Sequence, residues 1–147
     1  MQAPSNHLLR RIVVWERRHE METGITGQQE EIVTEEKTAK AMGSGELPVY
    51  ATPAMIALIE KTAWMSVAGE LEEGQGTVGT KLAVEHVSAS PLGAHITCKT
   101  TLVGVDRRRL LFSVEVSDDA GLIGRGTHER FIVDNEKFVT KAQGKLA

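Results

Sequence analysis

The chain has 147 residues, a formal net charge of -3 and 25% charged side chains, which is typical of one domain large enough to bury its own core. Because nucleic-acid binding needs a basic surface, the slight negative charge argues against that class of partner. Cys98 is the only cysteine, which excludes an intrachain disulfide and a cysteine-cluster zinc site and favours a reducing, cytoplasmic setting.

Residues 1–20 are expected to form a flexible extension ahead of a single domain that covers residues 21–147. The apolar centre of this extension is only Ile-Val-Val-Trp, with charged residues on both sides, which is too short for a secretory signal. No apolar run in the chain approaches the roughly 20 residues that cross a bilayer, so we expect no membrane association.

A strand is predicted at about Glu30–Thr34, followed by a loop at 41–50 that contains two glycines and a proline. A helix is then expected from Pro53 to about Gly69, with Thr52 as its N-cap and the proline at the first helical position. Apolar side chains occupy nearly every side of this helix, which predicts that it is buried all round. They are Met55, Ile56, Leu58, Ile59, Ala63, Trp64, Val67 and Ala68.

After the helix, apolar residues alternate with polar ones, which predicts four strands joined by short turns. In the first three strands the expected common faces are Val78, Thr80, Leu82, Val84 and His86, then Ile96, Cys98, Thr100 and Leu102, then Leu110, Phe112, Val114 and Val116. Residues 124–133 form the last predicted strand, and a short closing helix capped by Asp134 follows it.

Short turns force neighbouring strands to pair antiparallel, and a helix buried on every side needs a sheet that curves around it. The expected fold class is therefore α+β, a hot-dog fold in which one long buried helix is wrapped by a curved antiparallel sheet of about five strands. Such a sheet leaves an edge and a flank uncovered, so we expect a homodimer, with a tetramer left open.

Gly74, Gly76 and Gly79 have the spacing of a dinucleotide-binding fingerprint, which works only where a strand precedes the glycines and a helix follows. Here the predicted helix precedes them and a strand follows, so no helix N-terminus would face a pyrophosphate. We interpret Gly74 and Gly76 as turning the chain after the helix, and Gly79 as a strand position with no side chain to obstruct a ligand.

Three residues are candidates for chemistry. Glu60 lies on the buried helix, where it either reaches solvent at a seam or pairs with a neighbour such as Lys61, or else faces a cleft as a general base. His86 is either a satisfied core histidine or a proton acceptor on the strand face opposite that carboxylate. Thr52 either only caps the helix, or orients or attacks a carbonyl group at the helix N-terminus.

Thr52 and Glu60 are eight residues apart, which is a rise of roughly 12 Å along a helix, so they cannot share a hydrogen bond within it. Either His86 and the substrate lie between them, or Thr52 of one protomer meets Glu60 of its partner. We favour the second arrangement because a dimer is expected.

Basic residues on the predicted strands could contact phosphate groups. The candidates are the hairpin tip Arg107–Arg109 and Arg130 on the last strand. His86 and His128 do not have metal-ligand spacing, so we expect no metal site.

Four separated blocks resemble, in order and spacing, a family of hot-dog thioesterases that includes fluoroacetyl-CoA thioesterase. They are residues 50–64, 74–86, 105–116 and 124–133, and the similarity extends over about residues 21–142. The resemblance implies a dimer that hydrolyses a small acyl-CoA to acid and free CoA, with no cofactor besides the CoA of the substrate. The family's catalytic threonine, glutamate and histidine correspond to Thr52, Glu60 and His86. Its substrate-contacting glycine corresponds to Gly79, and the arginine of its Gly-Thr-His-Glu-Arg block to Arg130.

The loop before the threonine departs from the fluoroacetyl-specific enzyme, which carries a lid of phenylalanines there. This chain offers Leu47 and Tyr50 as substrate contacts and no phenylalanine in that loop, so we expect thioesterase activity without fluoroacetyl selectivity. A non-catalytic acyl-CoA-binding or sensing module on the same fold is the alternative. An enoyl-CoA hydratase is a third possibility, although the Asp/His pair usual for it is not evident.

Overall fold

The computed structural model describes residues 21–146, so the predicted flexible extension lies outside the described residues. Five strands form one antiparallel sheet in the order β1-β3-β4-β5-β2. They are β1 (Thr26–Ile32), β2 (Gln75–His86), β3 (His95–Asp106), β4 (Arg109–Asp118) and β5 (Gly121–Asp134). The helices are α1 (Ala39–Met42), α2 (Thr52–Val67) and α3 (Asn135–Gln143). The expected α+β architecture, a long helix on a five-stranded antiparallel sheet, is confirmed.

The alternating patterns of β3 and β4 correctly predict which side chains are buried. All of the apolar-face residues expected on these two strands are buried, and all of them except Thr100 belong to one core with α2. Within residues 21–146, no helix has the length and apolar character needed to span a membrane.

Strand β1 begins at Thr26, earlier than the predicted start at Glu30, and ends at Ile32. Its residues are mostly polar, so the hydrophobic pattern does not mark it. Its position is set by backbone pairing with β3, from Thr26 opposite Thr101 to Ile32 opposite His95.

One face of α2 contacts all five strands. That face consists of Ala54, Met55, Leu58, Ile59, Thr62, Ala63 and Val67. The prediction that the helix is buried on every side is wrong for the single chain, because Trp64 and Met65 remain 46% and 40% exposed. The sheet covers one side of the helix and leaves a second apolar side open.

A β-bulge at Thr80 interrupts the pairing of β2 with β5, between Gly79 and Lys81. Because strand side chains alternate, one extra residue reverses the two faces. The predicted common face therefore holds only for Leu82, Val84 and His86. Before the bulge it is Gly79, not Val78 or Thr80, that faces α2, as its contact with Glu60 shows.

The termini of two helices differ from expectation in detail. Asp134 occupies the N-cap position of α3, as predicted, but its side chain makes no capping hydrogen bond. It lies 3.6 Å from Nη1 of Arg108 instead. The predicted loop at 41–50 also begins inside a short helix, since α1 follows Thr38 and ends before Gly43, which has a φ of 75°.

Candidate active site

Thr52 is the first residue of α2, and the N-cap is Ala51, so the prediction that Thr52 caps the helix is wrong by one position. An N-cap residue needs an extended backbone, and Ala51 has it, with φ -73° and ψ 138°. The Thr52 hydroxyl is consequently not used for capping. Its Oγ1 lies 2.9 Å from Nδ1 of His86, the last residue of β2.

Burial lowers the pKa of His86 below its usual value, which favours the neutral imidazole near neutral pH. A neutral Nδ1 can accept the hydroxyl proton of Thr52, which is the arrangement that activates a hydroxyl nucleophile. The Nε2 atom is buried and has no hydrogen-bond partner among residues 21–146. A backbone group of Ser88 also acts on this ring and raises its pKa, but by less than burial lowers it.

A cavity of about 270 Å³ opens beside this pair and is lined by Thr52, His86, Tyr50, Ser44 and Val49 among others. The ring edge of Tyr50 packs against His86, with centroids 6.3 Å apart and planes at 82°. The Tyr50 hydroxyl donates to Oε2 of Glu31 at 2.6 Å. Burial and the neighbouring Glu31 raise the pKa of Tyr50, so the phenol stays protonated.

Tyr50 and Leu47, the two substrate contacts predicted in the loop before Thr52, differ in their exposure. Tyr50 is fully buried behind His86, whereas Leu47 is 65% exposed and does not line this cavity. We refer to Thr52, His86 and Tyr50 as the Thr52 site.

A second group of residues surrounds Glu60 in the middle of α2. Arg130 Nη1 donates to Oε2 of Glu60 at 3.0 Å. The Arg130 side chain is buried, and its Nε and Nη2 donate to Oγ1 and the carbonyl oxygen of Thr77 at 2.8 and 3.0 Å. The partner of Glu60 is therefore Arg130, which the sequence suggested only as a phosphate contact, and the Glu60 side chain remains 40% exposed.

Gly79 lies directly against this ion pair. A Cβ atom at Gly79 would be 2.5 Å from Oε2 of Glu60 and 3.3 Å from Nη1 of Arg130. A side chain at Gly79 is therefore opposed by space and not by backbone conformation, and the atom that it would meet first is the end of the Glu60 side chain. We refer to Glu60, Gly79, Thr77, His128 and Arg130 as the Glu60 site.

The three predicted catalytic residues thus lie in two sites of one chain. His86 contacts Thr52 and not Glu60, and the cavity of the Thr52 site does not include Glu60. Arg130 instead lines a separate cavity of about 450 Å³ with Trp64, Gln75 and Asn135. Within the chain His86 is thus hydrogen-bonded to Thr52, and Glu60 to Arg130.

Sequence reasoning missed His128, which it considered only as a metal ligand. His128 is completely buried, and its Nε2 lies 3.1 Å from Nη1 of Arg130. The signal available in the sequence was its position two residues before Arg130, on the same strand face.

Two of the three hairpin arginines, Arg108 and Arg109, have carboxylates within ion-pair distance. Arg108 faces Asp134, and Arg109 lies 3.6 and 3.7 Å from Asp106 and Glu129. Within residues 21–146, no three His, Cys, Asp or Glu side chains form a group that could hold a metal ion.

Comparison with known proteins identifies the family. A family model described as fluoroacetyl-CoA-specific thioesterase matches residues 33–136. The fluoroacetyl-CoA thioesterase of Streptantibioticus cattleyicolor is 39% identical over 97 residues, which is 66% of this chain and 70% of that protein. A solved structure of fluoroacetyl-CoA thioesterase has a TM-score of 0.80 and 34% identity, and the match covers 85% of this chain and 97% of that one.

The fold extends to more distant proteins. A hot-dog-like protein from Thermanaerovibrio acidaminovorans has a TM-score of 0.77 at 20% identity, over 85% of this chain and 93% of that one. This chain therefore has the hot-dog fold and belongs to the fluoroacetyl-CoA-specific thioesterase family.

Proposed function

We propose that the protein is an acyl-CoA thioesterase that hydrolyses a small acyl-CoA thioester to the free acid and CoA. The observation that carries this proposal is the 2.9 Å contact between the Thr52 hydroxyl and Nδ1 of His86 at the start of α2. Family membership supports the reaction class, since the relatives found are fluoroacetyl-CoA thioesterases.

The chemistry needs a nucleophile, a proton carrier and stabilisation of the thioester carbonyl oxygen as it becomes negative. His86 takes a proton from the Thr52 hydroxyl or from a water molecule and returns it to the departing CoA thiolate. The free N–H groups at the start of α2 provide the positive end of the helix dipole beside Thr52. Glu60, whose Oε2 lies 3.0 Å from Nη1 of Arg130, supplies the carboxylate of the reaction centre.

Two routes satisfy this arrangement. Thr52 or Glu60 attacks the carbonyl carbon and forms an acyl-enzyme, or an activated water attacks directly. Rapid-quench mass spectrometry detects a covalent acyl adduct in the first case. In the second, one labelled solvent oxygen enters the acid and no adduct forms.

We propose further that the complete site is shared between two copies of the chain, with Thr52 and His86 from one protomer and Glu60 from its partner. The separation of the Thr52 and Glu60 sites within one chain supports this arrangement. The open apolar side of α2, with Trp64 and Met65, and the position of β2 at an edge of the sheet support a homodimer. Whether dimers pair into tetramers is decided by the measured mass in solution.

A mixture of two inactive variants tests the shared site. Thr52→Ala and Glu60→Gln proteins, unfolded together in equal amounts and refolded, would form heterodimers in which one of the two sites is intact. Random pairing then restores about a quarter of wild-type activity if the site crosses the interface. A site contained in one chain restores none, and refolded wild-type protein serves as the control.

The loop before Thr52 differs from that of the fluoroacetyl-specific enzyme, and this difference affects which acyl groups the protein accepts. Tyr50 is buried by its bond to Glu31 and Leu47 is exposed, so neither forms a phenylalanine-like lid within the single chain. We propose a substrate range wider than fluoroacetyl-CoA, no cofactor besides the CoA of the substrate, and a cytoplasmic location. Free-thiol release from short, branched and aromatic acyl-CoAs, before and after dialysis against a chelator, tests the first two. Cell fractionation tests the third.

A further inference from the structure

His128 lies on β5 in the interior of the sheet, where none of its side chain is exposed. The ring of Phe112 stacks on it, with centroids 6.4 Å apart and planes at 29°. Such a histidine can be a passive core residue. Its two ring nitrogens, however, have different partners, and those partners define its chemical state.

The Nδ1 atom of His128 lies 2.8 Å from the carbonyl oxygen of Lys81. A carbonyl oxygen only accepts hydrogen bonds, so Nδ1 must carry the proton. This contact lies immediately after the bulge at Thr80, whose hydroxyl donates to Oε2 of Glu129 at 2.6 Å on the opposite face of the sheet. The bulge thus sets the position of the carbonyl group that fixes the tautomer of His128.

The Nε2 atom of His128 lies 3.1 Å from Nη1 of Arg130. Guanidinium nitrogens only donate, so Nε2 must be the unprotonated acceptor. Both contacts thus require the same neutral tautomer. Burial, with the positive charge of Arg130 as a smaller contribution, lowers the pKa of His128 and favours that neutral form.

Arg130 Nη1 is the atom that links the two sides of this network. It donates to His128 Nε2 at 3.1 Å and to Glu60 Oε2 at 3.0 Å. A protonated His128 would turn Nε2–H toward the guanidinium and remove the acceptor. Thr77 holds Nε and Nη2 of the same guanidinium, and the lone pair at Nε2 of His128 adds the restraint on Nη1, the nitrogen that holds the Glu60 carboxylate beside Gly79.

We propose that His128 is a positioning residue: in its Nδ1–H tautomer it holds Nη1 of Arg130, and through Arg130 it orients the carboxylate of Glu60. The effect on hydrolysis rests on the function proposed above. The tautomer and the restraint on Arg130 do not, so they can be tested separately.

Two amide substitutions separate the two ring nitrogens. In His128→Asn the amide takes the place of Nδ1 and can still donate to Lys81, but no acceptor remains at the place of Nε2, so Arg130 keeps only its bonds to Glu60 and Thr77. In His128→Gln the longer amide reaches the place of Nε2, and its oxygen can accept from Nη1. We expect His128→Asn to lower kcat/KM about 10- to 100-fold, and His128→Gln to stay within about fivefold of wild type.

A double-mutant cycle distinguishes positioning from a general structural defect. If His128 acts through Glu60, His128→Asn changes kcat/KM less than about twofold in the Glu60→Gln background. Equal losses in both backgrounds, or equal activities of the Asn and Gln variants, would overturn the proposal.

Nitrogen-15 NMR of the wild-type protein gives a readout that needs no turnover. We expect a protonated Nδ1 and an unprotonated Nε2 for His128 at pH 7, and a restrained Arg130 guanidinium whose signals average in His128→Asn. An imidazolium or the Nε2–H tautomer would overturn the proposal even in an active enzyme. If the wild type hydrolyses no acyl-CoA, the proposed function fails, and these spectra alone decide the role of His128.

Discussion

Replacing Gly79 with alanine tests whether the placement of Glu60 controls activity. The added Cβ would lie 2.5 Å from Oε2 of Glu60, whereas ordinary van der Waals contact begins at 3.4 Å. The carboxylate oxygen must therefore move by about 0.9 Å, and His128 Cε1 and Arg130 Nη1, at 3.2 and 3.3 Å from the added Cβ, must shift by a few tenths of an ångström at most. Glu60 is 40% exposed at the end of a flexible side chain, so it can move without unfolding the protein.

A displacement of about 1 Å in a reacting group can reduce the rate about 100-fold. We expect kcat/KM of Gly79→Ala to fall by roughly that factor, while Tm stays within about 4 °C of wild type because the helix and sheet are not displaced. Free-thiol release and thermal unfolding followed by circular dichroism measure the two quantities.

Gly69→Ala is the matched control, because a Cβ at Gly69 meets no atom within 4 Å. It should leave both quantities near their wild-type values. The reasoning is refuted if Gly79→Ala retains kcat/KM within twofold of wild type. It is also refuted if the loss of activity is accompanied by a fall in Tm of more than about 10 °C. Such a fall would mean that the added methyl group displaces the backbone and not only the Glu60 side chain.

The remaining predictions concern the Thr52 site. Because burial lowers the pKa of His86 in the folded protein, kcat/KM should fall only at pH values below about 6.5, and His86→Gln should lower activity and flatten this acid limb. The unfolded chain binds that proton more readily, so the free energy of unfolding should also decrease as the pH falls below about 6.5, less steeply in His86→Gln than in wild type. Tyr50→Phe keeps the ring against His86 but removes the 2.6 Å bond to Glu31. It should cost about 1–3 kcal/mol of stability in urea unfolding and change kcat less than about threefold; a large loss of kcat with unchanged stability would contradict this reading.

Elements whose side chains alternate or recur along one face could be predicted from the sequence. The inward residues of β3 and β4 follow from alternation alone, since burial on one face imposes a period of two. The reversed order of helix and strand around Gly74 is confirmed, and the φ of 83° at this residue agrees with its predicted role in the turn. Gly76 differs, since it lies within β2, where a Cβ would approach Asn135 to 2.5 Å.

The features that could not be predicted from the sequence depend on contacts between residues that are far apart in the chain. The bulge at Thr80 is fixed by Glu129, which is 49 residues away, and it decides which side of β2 faces the helix. Likewise, the partner of Glu60 is 70 residues away on β5. The predicted start of α2 differs from the observed start by one residue, because proline is tolerated at either of the first two helical positions. Only the extended backbone of Ala51 shows which of the two positions Pro53 occupies.

Turnover by wild-type and Glu60→Gln proteins tests the central claim most directly. Free-thiol release is measured over a panel of short, branched and aromatic acyl-CoAs, with circular dichroism to confirm that the variant is folded. The account predicts that wild-type protein hydrolyses at least one of these thioesters, and that Glu60→Gln lowers kcat on it by about 100-fold or more with the fold intact. No hydrolysis by the wild type of any thioester, or a variant altered only in its affinity for acyl-CoA, would contradict the account and indicate a binding module instead.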